Sequence, residues 1–257
     1  MTSLTAHDLV LRLGDRDVVR GIQLDIAEPL VLGLLGPNGA GKTSLLRALA
    51  GLLEPAAGQV LVGGMDLTSM SGQMRARTIG YLPQERVVNW PLLCREVVML
   101  GRLPHRSVAS APSLADRQAV DRTMRDADCL EFADRPIDEL SGGEKNRVLI
   151  ARVLAQEPRI LLADEPADGL DPAHQIRTMR LLREAARAGA IVIVTLHDLT
   201  LAARWCDRLV LLEDGRIAAA GAPASVLAPD RLASVYGIKA IASLTGEARY
   251  VVPTDLA

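Results

Sequence analysis

Aromatic residues, excess basic charge and long apolar segments are all scarce in this chain of 257 residues. Phe, Tyr and Trp together make up 2%, and 29 Lys and Arg are balanced by 31 Asp and Glu, which leaves a net charge of −2. Proteins that bind nucleic acids use basic surfaces and stacked aromatic rings, so no nucleic-acid partner is expected. The longest apolar runs, residues 30–35 and 190–194, are far shorter than the roughly 20 residues that span a bilayer. Residues 1–10 also lack the basic start and apolar core of a secretion signal, so the sequence predicts a soluble, cytosolic protein.

Cysteine and lysine are rare as well. The three cysteines, Cys94, Cys129 and Cys206, are odd in number and widely spaced, which fits neither a disulfide framework nor a zinc site. We expect them to be buried packing residues. Only three of the 29 basic residues are lysines, and one of these is Lys42. A lysine in a chain that otherwise uses arginine indicates a position that needs a compact ammonium group rather than a planar guanidinium.

Apolar runs alternate with helical patterns along most of the chain. Continuous apolar runs, typical of strands buried on both faces, occur at residues 30–35, 160–163, 191–196 and 209–212. Because the stretches between them repeat apolar residues at helical spacing, the pattern predicts an α/β fold with a parallel sheet. Segments 8–26 and 58–62 alternate apolar and polar residues instead, which predicts an N-terminal antiparallel β subdomain.

The stretch between residues 85 and 157 lacks strand patterns, and its apolar residues recur at helical spacing. We therefore expect one domain with an inserted helical subdomain. Its nucleotide-binding core would comprise residues 1–84 and 158–225, the helical subdomain residues 85–157, and a short helical tail residues 226–257.

The first apolar run leads directly into a glycine-rich loop with the pattern G-x-x-x-x-G-K-[ST], and leucines at helical spacing follow. This order of strand, glycine loop and helix is typical of P-loop nucleoside triphosphatases, in which backbone N–H groups and the helix N-terminus bind phosphate. Lys42 would reach the β- and γ-phosphates, and the Thr43 hydroxyl would ligate Mg²⁺. The residues of this phosphate loop are Gly36, Pro37, Asn38, Gly39, Ala40, Gly41, Lys42, Thr43 and Ser44.

Two adjacent carboxylates, Asp164 and Glu165, follow the apolar run at residues 160–163. The carboxyl ends of parallel strands are where α/β sheets bind ligands, and successive side chains of a strand point to opposite sides. We expect Asp164 to face Mg²⁺ and Glu165 to act as the general base for the attacking water. These motifs by themselves leave kinases, GTPases, helicases and transport ATPases open.

A second Ser/Gly loop, Leu-Ser-Gly-Gly-Glu at residues 140–144, precedes a predicted helix that starts near Lys145. It indicates a second anion site at a helix N-terminus, for which a small-molecule kinase has no role. With this loop the chain resembles the ATP-binding cassette (ABC) family over about residues 5–240. In that family the second loop of one subunit closes over the γ-phosphate of ATP held by another, which implies a head-to-tail homodimer. The matching residues here are Ser141, Gly142, Gly143 and Glu144.

Three further positions match motifs of the ABC family. The resemblance implies that Gln84 senses Mg²⁺ and the attacking water, that His197 contacts the γ-phosphate, and that Asp171 crosses the dimer interface. It also implies that ATP binding closes the dimer and hydrolysis reopens it.

One position departs from the family. ABC proteins usually stack adenine on an aromatic residue of the N-terminal strands, whereas Leu13 stands at that place and no aromatic residue precedes Tyr81. We therefore expect aliphatic side chains to contact adenine, with weaker binding and poorer discrimination between ATP and GTP.

Segments 96–106, 170–175 and 195–204 closely resemble the ATP-binding subunits of bacterial importers for iron–siderophore complexes, haem and vitamin B12. This resemblance implies a membrane permease as partner, a periplasmic substrate-binding protein as indirect partner, and a peripheral position on the cytoplasmic side of the inner membrane. Residues 97–106 would line the groove that receives the permease, with Arg102 and His105 as permease contacts or as packing residues. An exporter subunit and a soluble ABC ATPase acting on nucleic acid are the alternatives, the latter disfavoured by the net charge.

Overall fold

The computed structural model describes residues 2–85, 88, 91–107, 110–246 and 248–257. Within them the strands are β1 (Leu4–Leu13), β2 (Arg16–Ile26), β3 (Leu30–Leu35), β4 (Ala57–Val62), β5 (Met65–Asp66), β6 (Ile79–Leu82), β7 (Ile160–Ala163), β8 (Ile191–Thr195), β9 (Arg208–Glu213), β10 (Arg216–Gly221), β11 (Ile238–Ser243) and β12 (Tyr250–Leu256). The α-helices are α1 (Lys42–Leu49), α2 (Gly72–Thr78), α3 (Cys94–Met99), α4 (Leu114–Asp126), α5 (Gly142–Ala155), α6 (Pro172–Arg187), α7 (Leu199–Trp205), α8 (Pro223–Val226) and α9 (Pro229–Tyr236). Short 3₁₀ helices cover Leu67–Ser69, Leu100–His105, Leu130–Phe132 and Ile137–Glu139.

The central sheet has six strands in the order β10-β9-β3-β8-β7-β6. The strands from β9 to β6 are parallel, and β10 pairs antiparallel with β9 across the turn at Asp214 and Gly215. The predicted parallel α/β core is therefore confirmed. Strand β6 was not predicted, because Gly80 and Tyr81 interrupt its apolar pattern. A Cβ on Gly80 would lie 2.8 Å from the side chain of Val153, so the glycine allows α5 to pack closely on this strand.

The N-terminal part forms the predicted antiparallel sheet, with the order β2-β1-β4-β5. Its alternating residues place one face against the central sheet, where Leu4, Leu9 and Leu11 are completely buried. One face of a sheet thus packs on another layer, as alternation of apolar and polar residues indicates.

The core lies on both faces of the central sheet. Strand β3 is buried along its whole length, and its residues alternate between two apolar clusters: Val31 and Leu35 belong to one, and Leu32 and Leu34 to the other. A strand covered on both faces must be apolar at every position, which explains the continuous run in the sequence. The three cysteines are buried and free, as expected.

Between β6 and β7 the described elements are helical, with α3, α4 and α5 joined by 3₁₀ turns. The C-terminal tail differs from the prediction of a short helical tail at 226–257. Helix α9 forms its first part, but β11 and β12 then pair as an antiparallel hairpin. The residues of β11 alternate between exposed and partly buried, which is a strand pattern with a period of two. Among the described residues, no helix is both long enough and apolar enough to cross a membrane.

Candidate active site

Four neighbouring strands of the central sheet end at the same edge, and each is followed by a residue group that the sequence analysis singled out. The phosphate loop follows β3, His197 follows β8, Asp164 and Glu165 follow β7, and Gln84 follows β6. These strands are parallel and adjacent in that order. Residues that are far apart in the sequence therefore come together at the carboxyl edge of the sheet, where α/β proteins bind ligands.

The phosphate loop requires glycine at two places. Gly36 has a φ of 145°, and a Cβ there would lie 2.3 Å from the carbonyl oxygen of Leu212. Gly41 has a φ of 96°, and a Cβ there would lie 2.5 Å from the carbonyl oxygen of Val18. Gly41 is the N-cap of α1 and no side chain caps this helix, so its first N–H groups remain available to an anion.

Lys42, the first residue of α1, is buried within this loop. Its Nζ donates hydrogen bonds to the carbonyl oxygens of Gly36 (2.7 Å) and Pro37 (3.2 Å). Burial lowers the pKa of the Lys42 ammonium from its usual value, while the nearby carboxylates of Glu165 and Asp164 act in the opposite direction. The Lys42 ammonium and the N–H groups at the start of α1 are suited to bind phosphate, and the two carboxylates are suited to a metal cation beside it.

Asp164 is 1% exposed and its carboxylate accepts hydrogen bonds from three hydroxyl groups, one of which is that of Tyr81, at 3.5 Å from Oδ2. Thr43 donates to its Oδ1 at 3.2 Å, and Thr195 donates to the same oxygen at 2.8 Å. The hydroxyl of Thr195 also accepts a hydrogen bond from the backbone N–H of Glu165 at 2.7 Å. The sequence analysis gave Thr195 no role, although it is the one polar residue in the otherwise aliphatic strand β8.

Glu165 is 8% exposed and its carboxylate is held from two sides. Nε2 of Gln84 donates to Oε2 at 2.5 Å, and Nε2 of His197 lies 2.5 Å from Oε1. The backbone of Glu165 has a φ of 48°, a conformation that costs a residue with a side chain about 1–2 kcal/mol. Strain of this kind is found where the surrounding structure fixes a functional side chain. The ends of β6 and β8 thus orient the carboxylate that follows β7.

A cleft of about 720 Å³ opens over these groups. Predicted residues of the phosphate loop line it together with Gln84, Glu165 and His197. At its other end lies Leu13, which is 49% exposed and pairs across the β1–β2 hairpin with Arg16. Arg16 and Val18 also line the cleft, and the sequence analysis missed both. The end of the cleft where the sequence predicts adenine to bind therefore carries the aliphatic side chains of Leu13 and Val18 and the guanidinium group of Arg16.

The second loop lies apart from this cleft, since none of Ser141–Glu144 is among the described residues that line it. Ser141 caps α5, and its backbone N–H donates to Oε2 of Glu144 at 2.8 Å. Asp171 caps α6 by accepting from the N–H groups of Ala173 and His174, and its carboxylate also contacts the His174 ring. A Cβ on Gly143 would lie 3.9 Å from that ring. The predicted site residues therefore fall into two groups within one chain.

Arg102 and His105 both contact other parts of their own chain. The guanidinium of Arg102 is 6% exposed and donates to Asp116 (3.0 Å), to the carbonyl oxygen of Ala155 (2.7 Å) and to Glu157 (2.9 Å). Hydrogen bonds from Ser113, followed by the contact with Arg102, lower the pKa of Asp116 to about 2. Nε2 of His105 lies 2.8 Å from the carbonyl oxygen of Gln156. Burial favours packing over contact with a permease for Arg102, whereas His105 is only partly buried and both alternatives stay open for it.

The residues present fit a magnesium ion next to phosphate. Mg²⁺ prefers oxygen ligands and is usually held by one or two protein groups together with substrate phosphates. The Thr43 hydroxyl, the Asp164 carboxylate and the amide oxygen of Gln84 supply such ligands at one edge of the sheet. Within the described part of the chain, no cluster of three or more His, Cys, Asp or Glu could hold a metal without such help.

Comparisons with known proteins agree with this geometry. The family model described as ABC transporter matches residues 19–168. The hemin import ATP-binding protein HmuV of Pseudomonas entomophila is 46% identical over 240 residues, which are 91% of this chain and 92% of that protein. The cobalamin import ATP-binding protein BtuD of Halobacterium salinarum is 41% identical over 254 residues, which are 98% of this chain and 61% of that longer protein.

A solved structure described as the dimeric, post-hydrolysis state of the ATP-binding cassette MJ0796 bound to ADP and Pi has a TM-score of 0.76 to this chain. It is 27% identical, and the match covers 86% of this chain and 98% of that one. The fold and the order of the motifs agree with the family model, and a relative is 46% identical over 91% of this chain. The chain therefore belongs to the ABC transporter family and is an ATP-hydrolysing subunit.

Proposed function

We propose that this chain powers the import of haem through a membrane permease. The observation that carries the proposal is the 46% identity with a hemin import ATP-binding protein over nearly the full length of both chains. The cleft is lined by residues of the phosphate loop together with Gln84, Glu165 and His197, and this arrangement supports a role in hydrolysis. The chain itself need not touch the cargo, because its part is to convert ATP binding and hydrolysis into a conformational change of the permease.

In the proposed reaction the phosphate loop binds the ATP phosphates through its backbone N–H groups, and Lys42 binds the β- and γ-phosphates. Thr43, Asp164 and Gln84 would hold Mg²⁺, which neutralises phosphate charge when it is bound. Glu165 accepts the proton of the attacking water. Gln84 and His197 keep its carboxylate in place, and this agrees with their 2.5 Å contacts to its two oxygens.

The working unit in this proposal is a head-to-tail dimer whose second loop acts on the partner's ATP. Gly142 and Gly143 support it, because neither glycine is required by its own chain. Neither has a positive φ, a Cβ on Gly142 would meet nothing within 4 Å, and one on Gly143 would meet only the His174 ring. A glycine that neither packing nor backbone geometry demands leaves space for a group that approaches from outside.

The further partners in the proposal are a permease and, through it, a periplasmic substrate-binding protein, with this subunit peripheral on the cytoplasmic side of the membrane. Leu100 and Leu103 are exposed on the segment that the sequence analysis assigned to the permease groove, whereas Arg102 between them is buried. The leucines, and not the arginine, are therefore the side chains available to a permease.

Cobalamin is the second candidate cargo, because a cobalamin import protein is 41% identical over 98% of this chain. The pattern of motifs is also compatible with a ferric siderophore. All three cargoes would be carried by the same ATP-driven cycle, so only transport distinguishes them.

The test is the uptake of labelled haem, cobalamin and ferric siderophore by cells that carry wild-type protein or Glu165→Gln. We expect the variant to lose haem uptake selectively. The control is Glu28→Gln, which makes the same change at an exposed residue before β3, at the opposite edge of the sheet. Selective loss of cobalamin uptake would replace haem with the second candidate. Unchanged uptake of all three, with the variant expressed and inactive in hydrolysis, would contradict an import role for these cargoes.

A further inference from the structure

The C-terminal tail reaches the phosphate loop through Tyr236. The hydroxyl of Tyr236, the last residue of α9, accepts a hydrogen bond of 2.8 Å from the backbone N–H of Gly36. Gly36 is the first residue of the loop, and its carbonyl oxygen accepts from Nζ of Lys42 at 2.7 Å. The same peptide segment is therefore fixed by the tail on its N–H side and by the phosphate-binding lysine on its carbonyl side.

The part of the tail that carries Tyr236 is firmly packed. Leu232 of α9 and Val251 of β12 are buried in the same apolar cluster as Val31 and Leu35 of β3. Helix α9 ends at Gly237, whose φ of 65° reverses the chain, and the carbonyl oxygen of Gly237 accepts from the N–H of Ala257 at 2.8 Å. The hydroxyl of Tyr236 is thus held at a fixed place relative to the end of β3.

The hairpin makes a second connection, on the other side of the site. The hydroxyl of Thr200 donates to the carbonyl oxygen of Val251 at 2.9 Å and accepts from its N–H at 3.1 Å. Thr200 lies in the first turn of α7, three residues after His197. The tail therefore contacts the segment that carries His197 as well as the loop that carries Lys42.

We propose that the described part of the C-terminal segment, residues 229–246 and 248–256, positions the two sides of the ATP site, with Tyr236 as a positioning residue for the phosphate loop and Thr200 as the anchor on the His197 side. The proposal rests on the role of the phosphate loop in binding ATP. Tyr236 acts through its hydrogen bond with the backbone N–H of Gly36. Burial raises the pKa of Tyr236 to about 12, so the phenol stays neutral across the physiological pH range.

The primary test is Tyr236→Phe, which removes the hydroxyl and keeps the ring that fills the packed site. The loop then samples more conformations before it binds ATP, so we expect the ATP Kd and KM to rise about three- to tenfold, the range for loss of one neutral hydrogen bond. The kcat at saturating ATP and the Tm should stay at wild-type values. The matched control is Tyr250→Phe, which removes a hydroxyl from an exposed tyrosine of β12.

Two further measurements separate positioning from general stability. Hydrogen exchange at the Gly36 amide should become at least about tenfold faster in Tyr236→Phe and not in Tyr250→Phe. Thr200→Val should raise the ATP KM by a smaller factor in the same direction, and Thr200→Ser, which keeps the hydroxyl, should restore the wild-type value.

Equal ATP Kd values in wild type and Tyr236→Phe would overturn this inference alone. A parallel fall of Tm, kcat and affinity in Tyr236→Phe would also overturn it, because it would show a merely structural role. If the wild-type subunit itself bound no ATP, the proposed function would fail first, and the inference with it.

Discussion

The phosphate loop and the second loop are both glycine-containing segments at helix N-termini, yet they are built in opposite ways. Around the phosphate loop, the carboxylates of Asp164 and Glu165 are buried and are held by residues from other parts of the chain, including Thr43 of α1 and Gln84 after β6. In the second loop the polar contacts are local: Ser141 is bonded to Glu144 three residues later, and both side chains lie near the surface. The acids beside the phosphate loop are held by tertiary contacts, whereas the polar groups of the second loop cap their own helix.

This difference indicates that the phosphate loop and the second loop have different roles. In the proposed mechanism the buried carboxylates act on charge and on the attacking water, because electrostatic interactions are strongest where water is excluded. An exposed, self-capped helix end keeps its structure without a ligand and is free to dock on a ligand held elsewhere. We expect changes among the buried acids to affect chemistry within a subunit, and changes in the second loop to act only between subunits.

The largest expected effect on ATP hydrolysis comes from a change among the buried acids beside the phosphate loop. Glu165→Gln keeps the hydrogen-bonding shape but removes the base, so ATP hydrolysis should fall about 10²- to 10⁴-fold. The ATP Kd should change less than about twofold, because Glu165 does not belong to the phosphate loop. Steady-state phosphate release and nucleotide titration measure the two quantities, with Glu28→Gln as control. Hydrolysis within tenfold of wild type would remove Glu165 from the role of base.

An intermediate effect on ATP hydrolysis is expected from a change in the second loop. Gly143→Asp fits its own chain, since only the His174 ring comes within 4 Å of the added Cβ, and it places a negative charge where the partner's γ-phosphate would lie. Hydrolysis should fall at least about tenfold, while ATP binding to the single subunit stays unchanged.

Mixing variants sharpens this test. Lys42→Ala and Gly143→Asp should each be inactive alone, yet a mixture should regain activity. In a head-to-tail pair, the heterodimer contains one site with an intact phosphate loop and an intact second loop. The measurement is phosphate release from the mixture at matched total protein. If the mixture stays as inactive as its parts, the two loops do not act between subunits.

The smallest effect is expected at the adenine end of the cleft. Leu13→Tyr adds a ring at an exposed position, and stacking should tighten ATP binding about two- to tenfold. The ratio of the GTP and ATP dissociation constants should rise as well. Leu114→Tyr, at an exposed leucine of α4 outside the cleft, is the matched control. An unchanged Kd in Leu13→Tyr would show that an added ring does not stack on the base, and would contradict the adenine position predicted for residue 13.

Features that depend on local pattern were predicted well. The phosphate loop, the acid pair and the strands of the parallel core each carry their own signal, because backbone geometry and burial on both faces restrict the residues at those positions. The meeting of Gln84, Glu165 and His197 also follows from sequence once the strands are known to be parallel neighbours. The roles of these residues stay predictions until the variants are measured.

Features that depend on distant contacts were missed. Strand β6 is only four residues long, and its pattern is interrupted by a glycine that α5 requires. Arg102 stands in a segment expected to line the permease groove, and its burial is explained by distant acceptors, Asp116 of α4, the carbonyl oxygen of Ala155 and Glu157. The tail was expected to be helical, but the pairing of β11 with β12 outweighs local preference.

The sequence by itself determined that this chain binds a nucleotide in an α/β core, because a phosphate loop needs glycines and a lysine in a fixed order along the backbone. Only the tertiary structure decided which hydroxyl groups hold Asp164, that Tyr236 supports Gly36, and that the second loop stands apart from the cleft. The physical reason is that a hydrogen bond between residues 200 positions apart produces no recognisable pattern in the sequence. A loop whose contacts are local, in contrast, requires particular residue types at consecutive positions.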